Sequence, residues 1–247
     1  MTAGTVPTDQ PPRRARQRHD WRDGGRTVKA WDESVLAIAL VSLGISLLVA
    51  AAIRASDSAL ISALVADGVV LIGMLTAVVI AFLRARPKPL LRIRGVDVVY
   101  GLGFGLILRM VQGWLEVAAG ASGALPAAPY EGAWAFAGLG ALSLAGPLIE
   151  EVFLRGVLLV TAYSVVRRMT SAAPAMITAL LLSATASAVV HAWTGGTAWE
   201  AWLTPLIVAL SCGALVMMTG RIWGAVFVHL VFSATHAVLA FAGAQWG

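Results

Sequence analysis

Long apolar runs separated by short polar or basic connections set the pattern of this chain. Ser34–Ile53 and Ala59–Leu83 are the first two, joined by a tight connection at Arg54–Asp57, and Gly95–Val117 is the third. Ala133–Val166 forms a longer fourth run, and Pro174–Trp193, Trp202–Thr219 and Ile222–Phe241 complete the series. A helix needs about 20 apolar residues to cross a bilayer, so runs of this length predict spans. The fourth run would measure about 50 Å as one helix, too long for one upright crossing and short for two. Pro147 inside it predicts a kink or a break. The run is therefore either one long kinked span or two segments meeting near Gly146. The fold class expected is all-α, a polytopic transmembrane helical bundle of seven or eight spans. No internal repeat shows in the pattern.

Before the first run, residues 1–33 are polar, with Pro7, Pro11, Pro12 and a basic run from Arg13 to Arg18. Such a segment has nothing to bury and predicts a disordered basic tail over 1–33, with the transmembrane domain over 34–247. The first apolar run is too long for a signal-peptide core and has no clear cleavage site, which makes it a retained helix.

Composition agrees with this reading. Charged residues make up 13% of the 247 residues and mean hydropathy is +0.82, where an average soluble domain carries about 25% charged residues. The net charge of +5 does not point to nucleic acid, because seven of the eighteen Lys and Arg residues precede Trp31 and six more lie from Arg54 to Arg94. Positive charge gathers on cytoplasmic segments, so the tail and the loop carrying Arg84, Arg86, Lys88, Arg92 and Arg94 are both expected in the cytoplasm of a cell-membrane protein. The lipid bilayer is then an obligate partner. Cys212 is the only cysteine, which excludes an intrachain disulfide and a cysteine metal cluster and leaves it as a small packing residue. Trp31, Trp193, Trp199, Trp202, Trp223 and Trp246 fall near span ends, where amphipathic rings favour the interface.

Charge inside the apolar runs changes the picture from a bundle to a candidate site. Glu150, Glu151 and Arg155 stand within six residues of the fourth run, and each charge at the centre of a membrane helix costs roughly 2.5–3.5 kcal/mol. Glu151 and Arg155 are four apart on one helical face, which favours an ion pair. Glu150 is turned about 100° away and points elsewhere. A desolvated carboxylate of that kind suits a general base, and a buried charge network holding two helices together is the plainer reading. The histidines weigh against the plainer one, since His191, His229 and His236 all lie in apolar runs after the glutamates. His229 and Ser233 share a face, so the hydroxyl is placed to orient the imidazole; His236 lies two turns further along.

Other charged positions read as structural. Asp67 in the second run has no partner near it in sequence, and Arg109 and Glu116 share a face but stand about 10 Å apart along the axis. Gly101 and Gly105 form a small-xxx-small pair that permits close helix contact. Signatures of other proteases are missing: there is no His-Glu-x-x-His and no Gly-x-Gly-Asp. Gly120-Ala121-Ser122-Gly123 matches a short rhomboid-type motif, but it leads into a Gly/Ala/Pro loop over Ala119–Gly132.

On these residues the chain resembles the CPBP family, which holds the type II CAAX prenyl endopeptidases and the bacteriocin-processing or immunity (Abi-like) membrane proteins. Glu150-Glu151-Val152-Phe153-Leu154-Arg155 is an intact Glu-Glu-x-x-x-Arg motif, followed by Gly156. A Phe-x-x-x-His motif falls on Ser187 to His191 with Ser in place of Phe, and a His-x-x-x-Asn motif falls on His229 to Ser233 with Ser in place of Asn. The resemblance covers about 133–241. It implies that Glu150 activates water for attack on a peptide carbonyl, that His191 and His229 assist it, and that Glu151, Arg155 and Ser233 support the site. It leaves one cofactor open, a divalent metal such as zinc held by Glu150, His191 and His229.

The function expected is an intramembrane endopeptidase cutting a membrane-associated protein or peptide near the cytoplasmic face. A non-catalytic family member that binds or regulates a partner, in an immunity or scaffold role, is the alternative. A small transporter using Asp67, Arg109 and the two glutamates is a third class, for which the chain offers no repeated halves.

Overall fold

The computed structural model describes residues 20–23, 28–56, 60–120, 145–195 and 199–246. Seven long helices build it: α1 (Glu33–Ser56), α2 (Leu60–Arg84), α3 (Gly95–Ala118), α4 (residues 145–167), α5 (Ala172–Gly195), α6 (Trp199–Thr219) and α7 (Trp223–Trp246). The described residues contain no strand. The all-α expectation holds, and the helix limits lie within a few residues of the apolar runs. All but α4 are long and apolar enough to cross a membrane, six in number. The protein is an integral membrane protein.

The seventh, α4, is the helix with the charges, and it runs through the middle. From Phe153 to Tyr163 every residue is buried, the burial expected of a helix that is apolar around its whole circumference. Its neighbours are α1, α2, α5 and α6. Around it the helices pair, α1 with α2, α5 with α6 and α3 with α7. The last pair depends on the glycines read from the sequence. A Cβ on Gly101 would sit 2.3 Å from the Cβ of Phe227, and one on Gly105 would sit 2.7 Å from the Cβ of Val231. Both distances are far below van der Waals contact, so these positions must lack a side chain for the backbones to approach this closely.

Pro147 does not break the described helix. It sits in the first described turn of α4, and the helix runs on through it. The irregularity lies further on, in a π-helical stretch over Val152–Leu158. Residues 121–144, which include Ser122 of the rhomboid-type motif and the first part of the fourth apolar run, lie outside the described residues.

One end of the bundle collects the basic residues, and the chain enters there. Asp32 caps α1: its carboxylate accepts from the Ser34 hydroxyl at 2.6 Å and from the Ser34 and Val35 N–H groups, and these bonds hold it below the usual carboxylate range. Arg168 at the end of α4 meets Glu33 at 2.9 Å. Asp97 and Arg221 join α3 to the start of α7 at 2.6 Å.

The expectation that residues 1–33 bury nothing fails at Trp21, Val28 and Trp31. Trp21 packs edge-on against Tyr163 and donates its indole N–H to the Gly220 carbonyl, while Arg22 donates to the Met217 and Met218 carbonyls at the end of α6. Trp31 is wholly buried and donates to the Ala81 carbonyl at 2.8 Å. A large ring with one donor gains more by covering a helix end and satisfying its free carbonyls than by staying in water. Trp31 is therefore a packing residue and not a lipid-facing ring, and Trp223 donates to the Leu91 carbonyl. Trp199 and Trp202 are exposed and keep the interfacial reading; the side chains of Trp193 and Trp246 lie outside the described residues. Cys212 is buried, as a small packing residue should be.

Candidate active site

The π-helical stretch begins directly after the two glutamates, and π-turns inside α-helices recur at functional sites. Arg155 lies within it and returns to Glu151 at 3.0 Å, with both side chains essentially without solvent contact. The sequence spacing anticipated that pair. It did not anticipate that Glu151 has a second partner, because His229 Nδ1 stands 3.0 Å from the same Glu151 oxygen.

That contact fixes the imidazole. An ionised carboxylate only accepts hydrogen bonds, so Nδ1 must carry the hydrogen and Nε2 is the nitrogen presented to the other side. Nε2 faces Glu150, 3.9 Å from its Oε2, and His191 Nε2 approaches the same oxygen at 3.2 Å. The two rings meet edge to face with centroids 5.8 Å apart. One ligand-capable atom from each of Glu150, His191 and His229 lies within 4.8 Å of the others. Glu150 Oε2 is buried and has no aligned hydrogen bond among the described residues. A single water bonded to two groups at about 2.8 Å each spans a gap of this size.

α4 supplies the carboxylates, α5 supplies His191 and α7 supplies His229, so three helices from different stretches of sequence converge. Only helical spacing could be read beforehand, which is why the Glu151–His229 bond was invisible. Ser233 was expected to orient His229. Glu151 takes that nitrogen, and Ser233, like Ser187, lines the cavity beside it.

The cavity has a volume of about 810 Å³, within the range of small-molecule and peptide sites. Glu150, His191 and His229 face it. Two polar groups stand in its walls. Arg54 and Asp67 pair at 2.5 Å across the α1–α2 hairpin, which gives Asp67 the partner that its own run lacks. Arg109 donates to Gln112 at 2.6 Å, and Gln112 passes the chain on to Glu116 at 2.7 Å. Gln112 thus closes the gap between Arg109 and Glu116 that looked too long. Arg109 also bonds the Phe232 carbonyl, lies 3.9 Å over the Phe232 ring and approaches His236 Nδ1 at 3.4 Å. His236 therefore belongs to the Arg109 wall and stands apart from the cluster around Glu150.

The arrangement can hold a water between a carboxylate and an imidazole, and by its donor set it can also hold a divalent cation. Two imidazoles and a carboxylate with room for further ligands suit zinc, with Glu151 orienting His229 behind it.

No curated protein and no solved structure matches the chain. Residues 132–235 match the family model described as type II CAAX prenyl endopeptidase, Rce1-like. That stretch contains both glutamates, Arg155, His191, His229 and Ser233, and lies almost wholly within the region where the sequence resemblance was drawn. Over residues 132–235, therefore, the chain is similar to the Rce1-like type II CAAX prenyl endopeptidases.

Proposed function

We propose that the protein is an intramembrane endopeptidase in which Glu150 activates a water molecule for attack on a peptide carbonyl. The observation that carries this reading is the buried, unaligned Oε2 of Glu150, facing a cavity and flanked by two imidazole Nε2 atoms. A carboxylate in that state has acceptor capacity to spare and takes the water's proton as the carbonyl carbon is attacked. His229 accepts a hydrogen bond from the water at its bare Nε2, and His191, donating from Nε2–H, answers the charge that develops on the carbonyl oxygen. The proton taken by Glu150 then passes to the leaving amine. Glu151 keeps His229 in one tautomer, and Arg155 balances the charge of Glu151 so that the two carboxylates can stand side by side. Ser233 faces the same cavity with one hydroxyl where the resemblance expects an amide.

Glu150, His191 and His229 would also be the residues that hold a divalent cation, and such an ion would supply a more acidic bound water. The protein would work in the cell membrane with its N-terminus in the cytoplasm, on a membrane-associated protein or peptide. A test compares new protein termini in membranes from cells producing the wild type or Glu150→Gln at equal levels. Termini that appear with the wild type and vanish with Glu150→Gln are expected. An identical set in both would leave the binding or regulatory reading standing.

A further inference from the structure

Among the described residues the bundle has two unlike ends, and the cavity of the candidate site lies towards one of them. Of the thirteen Lys and Arg residues among those described, ten gather at one end: Arg22 and Lys29, the five from Arg84 to Arg94, Arg167, Arg168 and Arg221. At the other end stands Arg54, paired with Asp67. The cavity belongs to that second end. α1, α2, α3, α4, α5 and α6 line it only with residues from the half of each helix that ends there, such as Arg54, Asp67, Glu116 and Glu200. α7 contributes from its middle, His229 to His236.

Towards the basic end the described residues leave no path. Directly behind Glu150 come Phe153, Leu154, Arg155 and Leu158, all without solvent exposure, and Ile222 fills the space against Gly156. Beyond them the ring of Trp21 covers Tyr163 and Gly220. Glu150 itself is seventeen positions from Arg167, about 25 Å along the axis.

Lys and Arg excess on connecting segments marks the cytoplasmic face of a membrane protein. We propose that the site takes its substrate from the opposite, extracytoplasmic side: a protein or peptide segment in or against the outer leaflet. This rests on the protease reading for what happens to the segment, but not for the side from which it comes. It reverses the expectation of cleavage near the cytoplasmic face. On this proposal a prenylated protein terminus displayed in the cytoplasm would meet the basic end, away from the cavity.

The sidedness is measurable without any catalysis. Cys212 is buried, so the wild type supplies a silent background for a membrane-impermeant maleimide. Thr204→Cys places a thiol in the cavity wall and Lys88→Cys places one at the basic end. In intact cells Thr204→Cys should react at least ten times faster than Lys88→Cys, and permeabilisation should bring Lys88→Cys up to a comparable rate. Reaction of Thr204→Cys only after permeabilisation, with Lys88→Cys open in intact cells, would overturn the proposal. Two further results separate it from the protease reading. Glu150-dependent cleavage confined to reporters facing the cytoplasm would keep the protease and sink the sidedness. External labelling of Thr204→Cys, with no termini that depend on Glu150, would keep the sidedness and sink the protease.

Discussion

Asp97 and Glu150 are both acids withdrawn from water in the same bundle, and their bonding separates them. Asp97 accepts from the Arg94 N–H at 2.8 Å and from two nitrogens of Arg221 at 2.6 and 3.2 Å, and it does not line the cavity in front of Glu150. Glu150 has an oxygen with no aligned donor, two imidazoles beside it and about 810 Å³ of space in front. A buried charge whose bonds are complete locks helices together, and its removal is felt as lost stability. A buried charge with capacity left over is costly to keep, and it is available for chemistry. Glu151 combines the two conditions, with one oxygen shared by Arg155 and His229 and the other without a partner among the described residues.

Variants at these acids should separate the two conditions. Asp97→Ala leaves the Arg221 guanidinium partly buried and unpaired, so thermal unfolding in detergent should show a loss of about 3–5 kcal/mol. Specific activity per folded molecule should be unchanged below the new melting temperature; a loss of activity in the folded protein would make Asp97 part of the site. Glu151→Gln removes the charge that balances Arg155 and weakens the hold on His229. Its cleavage rate should fall about 10–100-fold, with kcat affected more than KM, and a KM effect alone would mean that Glu151 merely shapes the cavity. Gly101→Ala drives a methyl into Phe227 and should cost about 1–3 kcal/mol by overpacking, with no effect on the chemistry of the folded fraction. Asp67→Asn should cost under about 1 kcal/mol, because the Arg54 pair is partly open to solvent. A larger loss there would move that pair into the class of Asp97.

The length and limits of the described helices were legible because apolar length decides them. The closeness of α3 and α7 was legible too, since Gly101 and Gly105 four apart have few other uses in a membrane helix. The packed N-terminal segment was missed because its polar composition hid Trp21 and Trp31, whose rings cover helix ends that no pattern in the segment itself reveals. At the site, Glu151–Arg155 could be read from a spacing of four. Glu151–His229 could not, because it links residues 78 positions apart, and one sequence does not give the registry between helices. A signal for the Asp97 lock was present and passed over: an acid three residues after Arg94, at the start of a helix, is placed to cap it, and Asp97 does so with the Arg94 N–H.

The central claim is that the open carboxylate of Glu150 performs chemistry while the closed ones hold the fold. It is tested most directly by measuring cleavage rate and thermal unfolding of Glu150→Gln on one preparation in proteoliposomes. Cleavage should fall by at least about 10²–10⁴-fold, the contribution of a positioned general base, while the melting temperature stays level or rises because a costly buried charge has gone. A Glu150→Gln protein that unfolds early and still cleaves at the wild-type rate would contradict the claim and put Glu150 beside Asp97 as a structural acid.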